Sequence, residues 1–208
     1  MDNYRISQEG DDIVVSFDNC EALIPVRTAQ LNNFFDAGFS HAPYNGYYQN
    51  GWINELAISL AAGTNWDTAC DWVMNDSFTK VDMTIGDVKV QAKSSLKQKD
   101  YEEYHPNIRN SMTKGTLEKN DLVVWSFCRN AKKLVHPRRN AADGKPVYYP
   151  ARIDPTQPLE AVIREGVWTS KVDINDVPVV RTGTTHSHYF EGMSVPAAQL
   201  SIFSGVVA

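Results

Sequence analysis

The sequence is short of the features that would place it in a class at once. Its three cysteines, Cys20, Cys70 and Cys128, are odd in number and far apart. That spacing supplies neither a disulfide framework nor a zinc site, and it suits a reducing compartment. No apolar run approaches the roughly 18 residues of a membrane-spanning helix. No Gly-x-Ser-x-Gly elbow, phosphate-cradling glycine loop or cysteine with an evident histidine partner appears, which removes the common nucleophilic hydrolases and nucleotide-loop enzymes. The opening residues, Met1-Asp2-Asn3-Tyr4-Arg5, lack the basic start and apolar stretch of a secretory signal. A cytoplasmic protein without a membrane partner is expected.

What is present is enough for one domain spanning residues 1–208. The chain has 208 residues, of which 42% are hydrophobic and 11% aromatic, so a sizeable core is affordable and intrinsic disorder is excluded. The net charge of −5 argues mildly against nucleic acid. Its distribution reverses that lean. Residues 89–145 hold thirteen bases and six acids, a net of +7, against seven bases and nineteen acids elsewhere, a net of −12. A basic middle in an acidic chain offers phosphate backbones a footprint, although a solvated surface of mixed charge accounts for the same numbers.

Residues 4–17 read as a hairpin, Tyr4–Gln8 then Ile13–Phe17, turning near Gly10. A short helix containing Leu31, Phe34 and Phe35 follows Pro25. Trp52–Ala62 carries Ile53, Leu56, Ala57 and Leu60 at helical spacing, with Gly63 placed as its cap. Thr64-Asn65-Trp66-Asp67 reads as a capping box opening a helix through Met74. Trp66 and Trp72 belong in or near the core. Two strands, Phe78–Ile85 and Val88–Ser94, meet at Gly86-Asp87. Residues 95–120 are expected to be helical in part. Asp121–Cys128 reads as a strand buried on both faces, and a short helix is expected near Leu159–Glu165. The order points to a mixed α/β (α+β) domain on a central sheet.

The hairpin at 78–94 is the most informative segment. A two-residue turn opposes Ile85 to Val88, Thr84 to Lys89, Met83 to Val90, Asp82 to Gln91 and Val81 to Ala92. This register sorts Val81, Met83, Ile85, Val88, Val90 and Ala92 onto one face. Lys80, Asp82, Thr84, Lys89, Gln91 and Lys93 fall on the other. A slip of one residue would destroy the sorting. Asp82 and Gln91 then lie close enough to share a hard divalent cation through a carboxylate and an amide oxygen, with Lys93 one step away. The same face also suits the wet side of an ordinary antiparallel hairpin.

Asp82, followed at the end of an apolar strand by Val90-Gln91-Ala92-Lys93, resembles the PD-(D/E)xK nuclease core in its QxK variant, over about residues 51–128. The chain departs from the pattern in having Val81 where the family has proline, and Gln91 in place of the usual acid. The resemblance implies a restriction-endonuclease-like fold with a central mixed sheet flanked by helices and extra strands from 129–208. It implies that Glu55, on the upstream helix, joins Asp82 and Gln91 around Mg²⁺, with Mn²⁺ as a substitute. Lys93 would assist the attacking water, and Leu122–Cys128 would be the following apolar strand. The activity implied is DNA cleavage of a restriction, repair or recombination kind, by a homodimer. Lys89, Lys97, Lys99, Lys132, Lys133, Arg138 and Arg139 would meet DNA phosphates. A non-catalytic DNA- or protein-binding module on the same fold is the alternative, and an unrelated α+β protein is a third. His186 and His188 share a face if extended, but no acid or cysteine stands at ligand spacing, so a structural role is favoured. Tyr44, Tyr47 and Tyr48 suit packing better than base stacking.

Overall fold

The computed structural model describes residues 3–36, 51–75, 81–95, 107–109, 118–129, 159–173, 175–176, 179–182, 185–189 and 193–206. Strands β1 (Arg5–Glu9) and β2 (Asp12–Phe17) open the chain, followed by helices α1 (Leu23–Asp36), α2 (Gly51–Ala61) and α3 (Trp66–Met74). Then come β3 (Met83–Ile85), β4 (Val88–Ser95), β5 (Asn107–Arg109), β6 (Leu122–Arg129) and β7 (Leu159–Trp168). Strands β8 (Val179–Thr182), β9 (Thr185–Tyr189) and β10 (Val195–Pro196) complete the order. The main sheet runs β1-β2-β7-β6-β4-β3, with β10 also on β7. A three-stranded sheet runs β5-β9-β8. The β4–β6 pairing is parallel; the others in the main sheet are antiparallel. The fold is therefore mixed α/β.

The main sheet buries apolar side chains on both faces. Ile13, Val15, Val90, Leu122, Val124 and Ile163 join the larger core with α1, α2 and α3. Val14, Val123, Trp125, Phe127, Val162 and Val167 form a second cluster, and the paired registers place it on the opposite face. This two-sided demand explains the unbroken Leu-Val-Val-Trp-Ser-Phe-Cys of β6. Helix α2 is buried nearly all round, from Trp52 to Ala61. Its only charged residue, Glu55, is half-buried.

Several expectations change here. The segment from Leu159 is not a helix but the ten-residue strand β7. Leu159, Val162, Ile163 and Gly166 mimic a helical stripe, but burial on both faces favours a strand. Arg164 adds to the deception, because the register slips so that Trp125 opposes Glu165 and Ser126 opposes Ile163. Arg164 is thus the extra residue of a β-bulge, and its guanidinium reaches Asp12 at 3.8 Å. Asn107–Arg109, within a stretch expected to be partly helical, is strand. Helix α3 is capped by Asn65 rather than Thr64, the Asn65 side chain accepting from the Thr68 amide at 2.9 Å. The β7 and β2 strands, both outside residues 51–128, occupy the middle of the sheet, so that segment does not form a core by itself. Trp66 and Trp72 are half-buried as expected, with Trp66 stacked on Tyr4 at 5.9 Å.

Candidate active site

The β3–β4 hairpin keeps the expected register at Ile85↔Val88, Thr84↔Lys89 and Met83↔Val90. Gly86, at the first turn position, has φ of 58°, a left-handed conformation that glycine adopts without the Cβ penalty. Beyond Met83 the ladder changes. The Asp82 amide donates to the Val90 carbonyl at 3.2 Å, so Asp82 steps out of the strand instead of lying squarely opposite Gln91. Its carboxylate turns onto β4. Asp82 Oδ2 accepts from the Ala92 amide at 2.7 Å and from Gln91 Nε2. A side chain thereby takes the β4 amide that a continued hairpin would have paired with backbone.

Strand β4 is held on both sides, by β3 and by β6. Gln91 lies opposite Val123 and Lys93 opposite Trp125. Gln91 and Lys93, two residues apart, share the face that carries the second apolar cluster. Gln91 is consequently buried and Lys93 half-buried, so this face is not the wet side of a simple hairpin. Burial pushes the Lys93 ammonium below the ordinary lysine range, while the negative fields of Asp82 and then Glu55 oppose that shift. The two carboxylates and the lysine therefore act on one another.

Glu55 reaches this neighbourhood from the first half of α2. A Cβ built on Gly51 would stand 3.8 Å from Glu55 Oε1 and 4.0 Å from Ser94 Oγ, which brings α2 against the end of β4. Sequence reasoning missed a buried cation that feels the field of Glu55. Arg27, on α1, is buried with 6% exposure. It donates from Nη1 to Gln30 Oε1 at 2.6 Å and lies over the Trp52 ring, 5.6 Å from its centroid. Burial lowers its pKa to about 10, and the field of Glu55 resists the fall. The available signal was a lone arginine in the otherwise uncharged Leu23–Gln30 segment, which ordinarily reads as an exposed residue.

Asp82, Gln91 and Lys93 are thus brought together, with Glu55 acting on Lys93 through its field. Asp82 and Gln91 are bonded directly, and both acids act on Lys93. Among the described residues no group of three or more His, Cys, Asp or Glu converges. The oxygen donors around Lys93 are the Asp82 carboxylate and the Gln91 amide, which are bonded to each other, and the Glu55 carboxylate of α2, which reaches Lys93 by its field. That set fits a hard cation by donor type, provided the Gln91 amide turns its oxygen toward Asp82, where its nitrogen now points. Lys89 is exposed, and its backbone is clasped to Asp121, whose carboxylate accepts from the Lys89 amide at 2.8 Å. Lys97, Lys99, Lys132, Lys133, Arg138 and Arg139 lie outside the described residues, as do Tyr44, Tyr47 and Tyr48. His186 and His188 stand on β9. No family model, curated protein or solved structure matches the chain.

Proposed function

We propose that the protein is a Mg²⁺-dependent endonuclease of the PD-(D/E)xK type, hydrolysing DNA phosphodiester bonds. The observation that carries the reading is the joint placement of Asp82, Gln91 and Lys93. Asp82 is bonded to Gln91, and Lys93 follows two residues later on the same face, under the fields of Asp82 and Glu55. The order of parts adds support: a helix bearing Glu55, the hairpin, then a buried strand parallel to β4. Bound Mg²⁺ would supply a lowered water pKa and neutralise phosphate charge.

The chain's own groups have separable tasks. Asp82 and Glu55 would be the carboxylate ligands, and Gln91 would supply an amide oxygen. The Ala92 amide fixes the Asp82 carboxylate in direction. Lys93, whose charged form is disfavoured by burial and favoured by the fields of Asp82 and Glu55, would orient the attacking water and counter charge on the phosphate. The basic segment 89–145 contributes affinity through phosphates, and a homodimer would cut both strands.

The decisive assay is plasmid cleavage with and without Mg²⁺ or Mn²⁺. Wild-type protein should nick or linearise DNA only with metal, whereas Asp82→Ala and Lys93→Ala should abolish cleavage with the fold intact by circular dichroism. Full activity in either variant refutes the assignment. The second reading is a non-catalytic binding module. The Asp82–Gln91 bond favours it, since each side chain satisfies the other without a cation; DNA retention without cleavage under every metal condition would establish it.

A further inference from the structure

Strand β1 forms one border of the main sheet, with β2 on one side and no described strand on the other. Its residues are exposed except Ile6, which is half-buried against the larger core. The two-residue turn Gly10-Asp11 joins β1 to β2 and makes Glu9 and Asp12 the closing hydrogen-bonded pair. Alternation along an antiparallel ladder then bonds Ser7 and Arg5 to β2 as well, and turns the amides and carbonyls of Ile6 and Gln8 outward. Among the described residues no backbone group takes them. Open edges invite pairing, and charged side chains usually blunt them. On β1 the charges are placed differently: Arg5 and Glu9 stand at the two ends of the strand, equally far from Ser7, on the face that alternate residues share. A second β1 laid antiparallel about a two-fold axis at Ser7 satisfies backbone and charge together. It opposes Ile6 to Gln8 of the second copy, the residues whose backbone groups point outward. It opposes Arg5 to Glu9 of the second copy in a non-hydrogen-bonded pair, where side chains come closest. A register shifted by two residues faces Ser7 with Arg5 in one direction or with Glu9 in the other, so neither charge meets its opposite on the strand.

We propose that β1 is a self-association edge that takes a second copy of this chain, the two sheets joining antiparallel about Ser7. The inference goes beyond the nuclease reading and does not rest on it. Backbone hydrogen bonds supply the affinity and the charge pairs fix the register. Each copy already holds Arg5 against Asp18 at 2.6 Å and Glu9 against Arg129 at 2.7 Å. The join therefore extends a row of alternating charge: Asp18 and Arg5, then Glu9 and Arg129 of the second copy. A contact of this isologous kind closes at two chains. Strand β1 and the β3–β4 hairpin stand at opposite ends of the strand order, so the candidate sites lie away from the join. Five residues a side make a small interface, and the dimer dissociates on dilution.

The test is sedimentation velocity of the purified full chain over a concentration series. Wild type should move from the mass of one chain towards that of two as concentration rises. Arg5→Glu opposes acid to acid at both ends of the join, and Glu9→Arg opposes base to base. Each variant alone should self-associate more weakly by about tenfold or more. An equimolar mixture of the two brings opposite charges together again at both ends, and should dimerise. Damage inside either chain, through the lost contact to Asp18 or Arg129, is not repaired by mixing, so a mixture that stays monomeric overturns the proposal. A wild type that is monomeric at every concentration, or single variants that dimerise as wild type does, overturns it too. Should either charge variant not fold, two others carry the test. Gln8→Pro deletes an outward amide and leaves the β1–β2 ladder intact, and it should abolish the dimer. Ser7→Cys sets a thiol of each copy opposite the other within disulfide reach, and the native Cys20, Cys70 and Cys128 are buried. Mild oxidation should therefore link Ser7→Cys chains in pairs; a dimer that resists this cross-link, or survives Gln8→Pro, is joined elsewhere and refutes the assignment.

Discussion

On the proposed nuclease reading Gln91 stands where that pattern has an acid, and its amide nitrogen makes a bond that an acid could not. A carboxylate at 91 would press against Asp82 Oδ2, which already accepts from the Ala92 amide. The glutamine instead donates to that oxygen, trading charge for a hydrogen bond. Gln91→Glu should therefore destabilise the metal-free protein by about 1–3 kcal/mol, the loss of a buried donor compounded by two like charges in contact. Added Mg²⁺ should restore a larger share of the melting temperature in Gln91→Glu than in wild type. Thermal melts with EDTA and with Mg²⁺ check both halves, and a Gln91→Glu variant indifferent to Mg²⁺ would count against a cation between positions 82 and 91.

Among the elements, β7 carries the greatest structural demand. It pairs with β2 and β10 along one edge and with β6 along the other. At Gly166 the backbone of β6 comes so close that an added Cβ would stand 2.9 Å from the Val123 carbonyl oxygen and 2.9 Å from Leu200 Cδ1. Gly166→Ala should cost about 1–3 kcal/mol by overpacking, visible as a lower urea midpoint with an unchanged slope. The same strand marks the limit of what a single sequence discloses. The hairpin register was legible because period-two sorting is local: alternate residues declare their faces without reference to the rest of the chain. The buried β6 was legible for a related reason, since a strand covered on both faces needs no polar residue. In β7, Glu160 and Arg164 interrupt an apolar strand, and their partners are Ser16, Arg129 and Asp12, distant in sequence. Arg27 was hidden in the same way. Its burial depends on Trp52 and Gln30 jointly, a tertiary arrangement that no spacing rule encodes.

At the scale of the whole molecule, the acidic average coexists with a basic middle, and the two should separate in solution. The proposed DNA binding through the 89–145 segment would release counterions, so log K should fall linearly with log salt, by about 0.9 for each phosphate neutralised on duplex DNA. Replacing Lys132, Lys133, Arg138 and Arg139 together by alanine should flatten that slope in a fluorescence-anisotropy titration, while Asp82→Ala should leave it nearly unaltered. An unchanged slope in the fourfold variant would remove those residues from the interface. Among the described residues no helix is long and apolar enough to cross a membrane.

The bond from the Ala92 amide to Asp82 has one more implication. Most β-sheet amides are sheltered by a neighbouring backbone, and their exchange with solvent deuterium tells of the sheet opening. The shelter of this amide is a single carboxylate oxygen, so its exchange and its nitrogen–proton resonance report what that carboxylate is doing. A cation drawing Asp82 away would loosen the amide while leaving the sheet closed. The protein thus carries, at the centre of its candidate site, a built-in spectroscopic indicator of whether that site is filled.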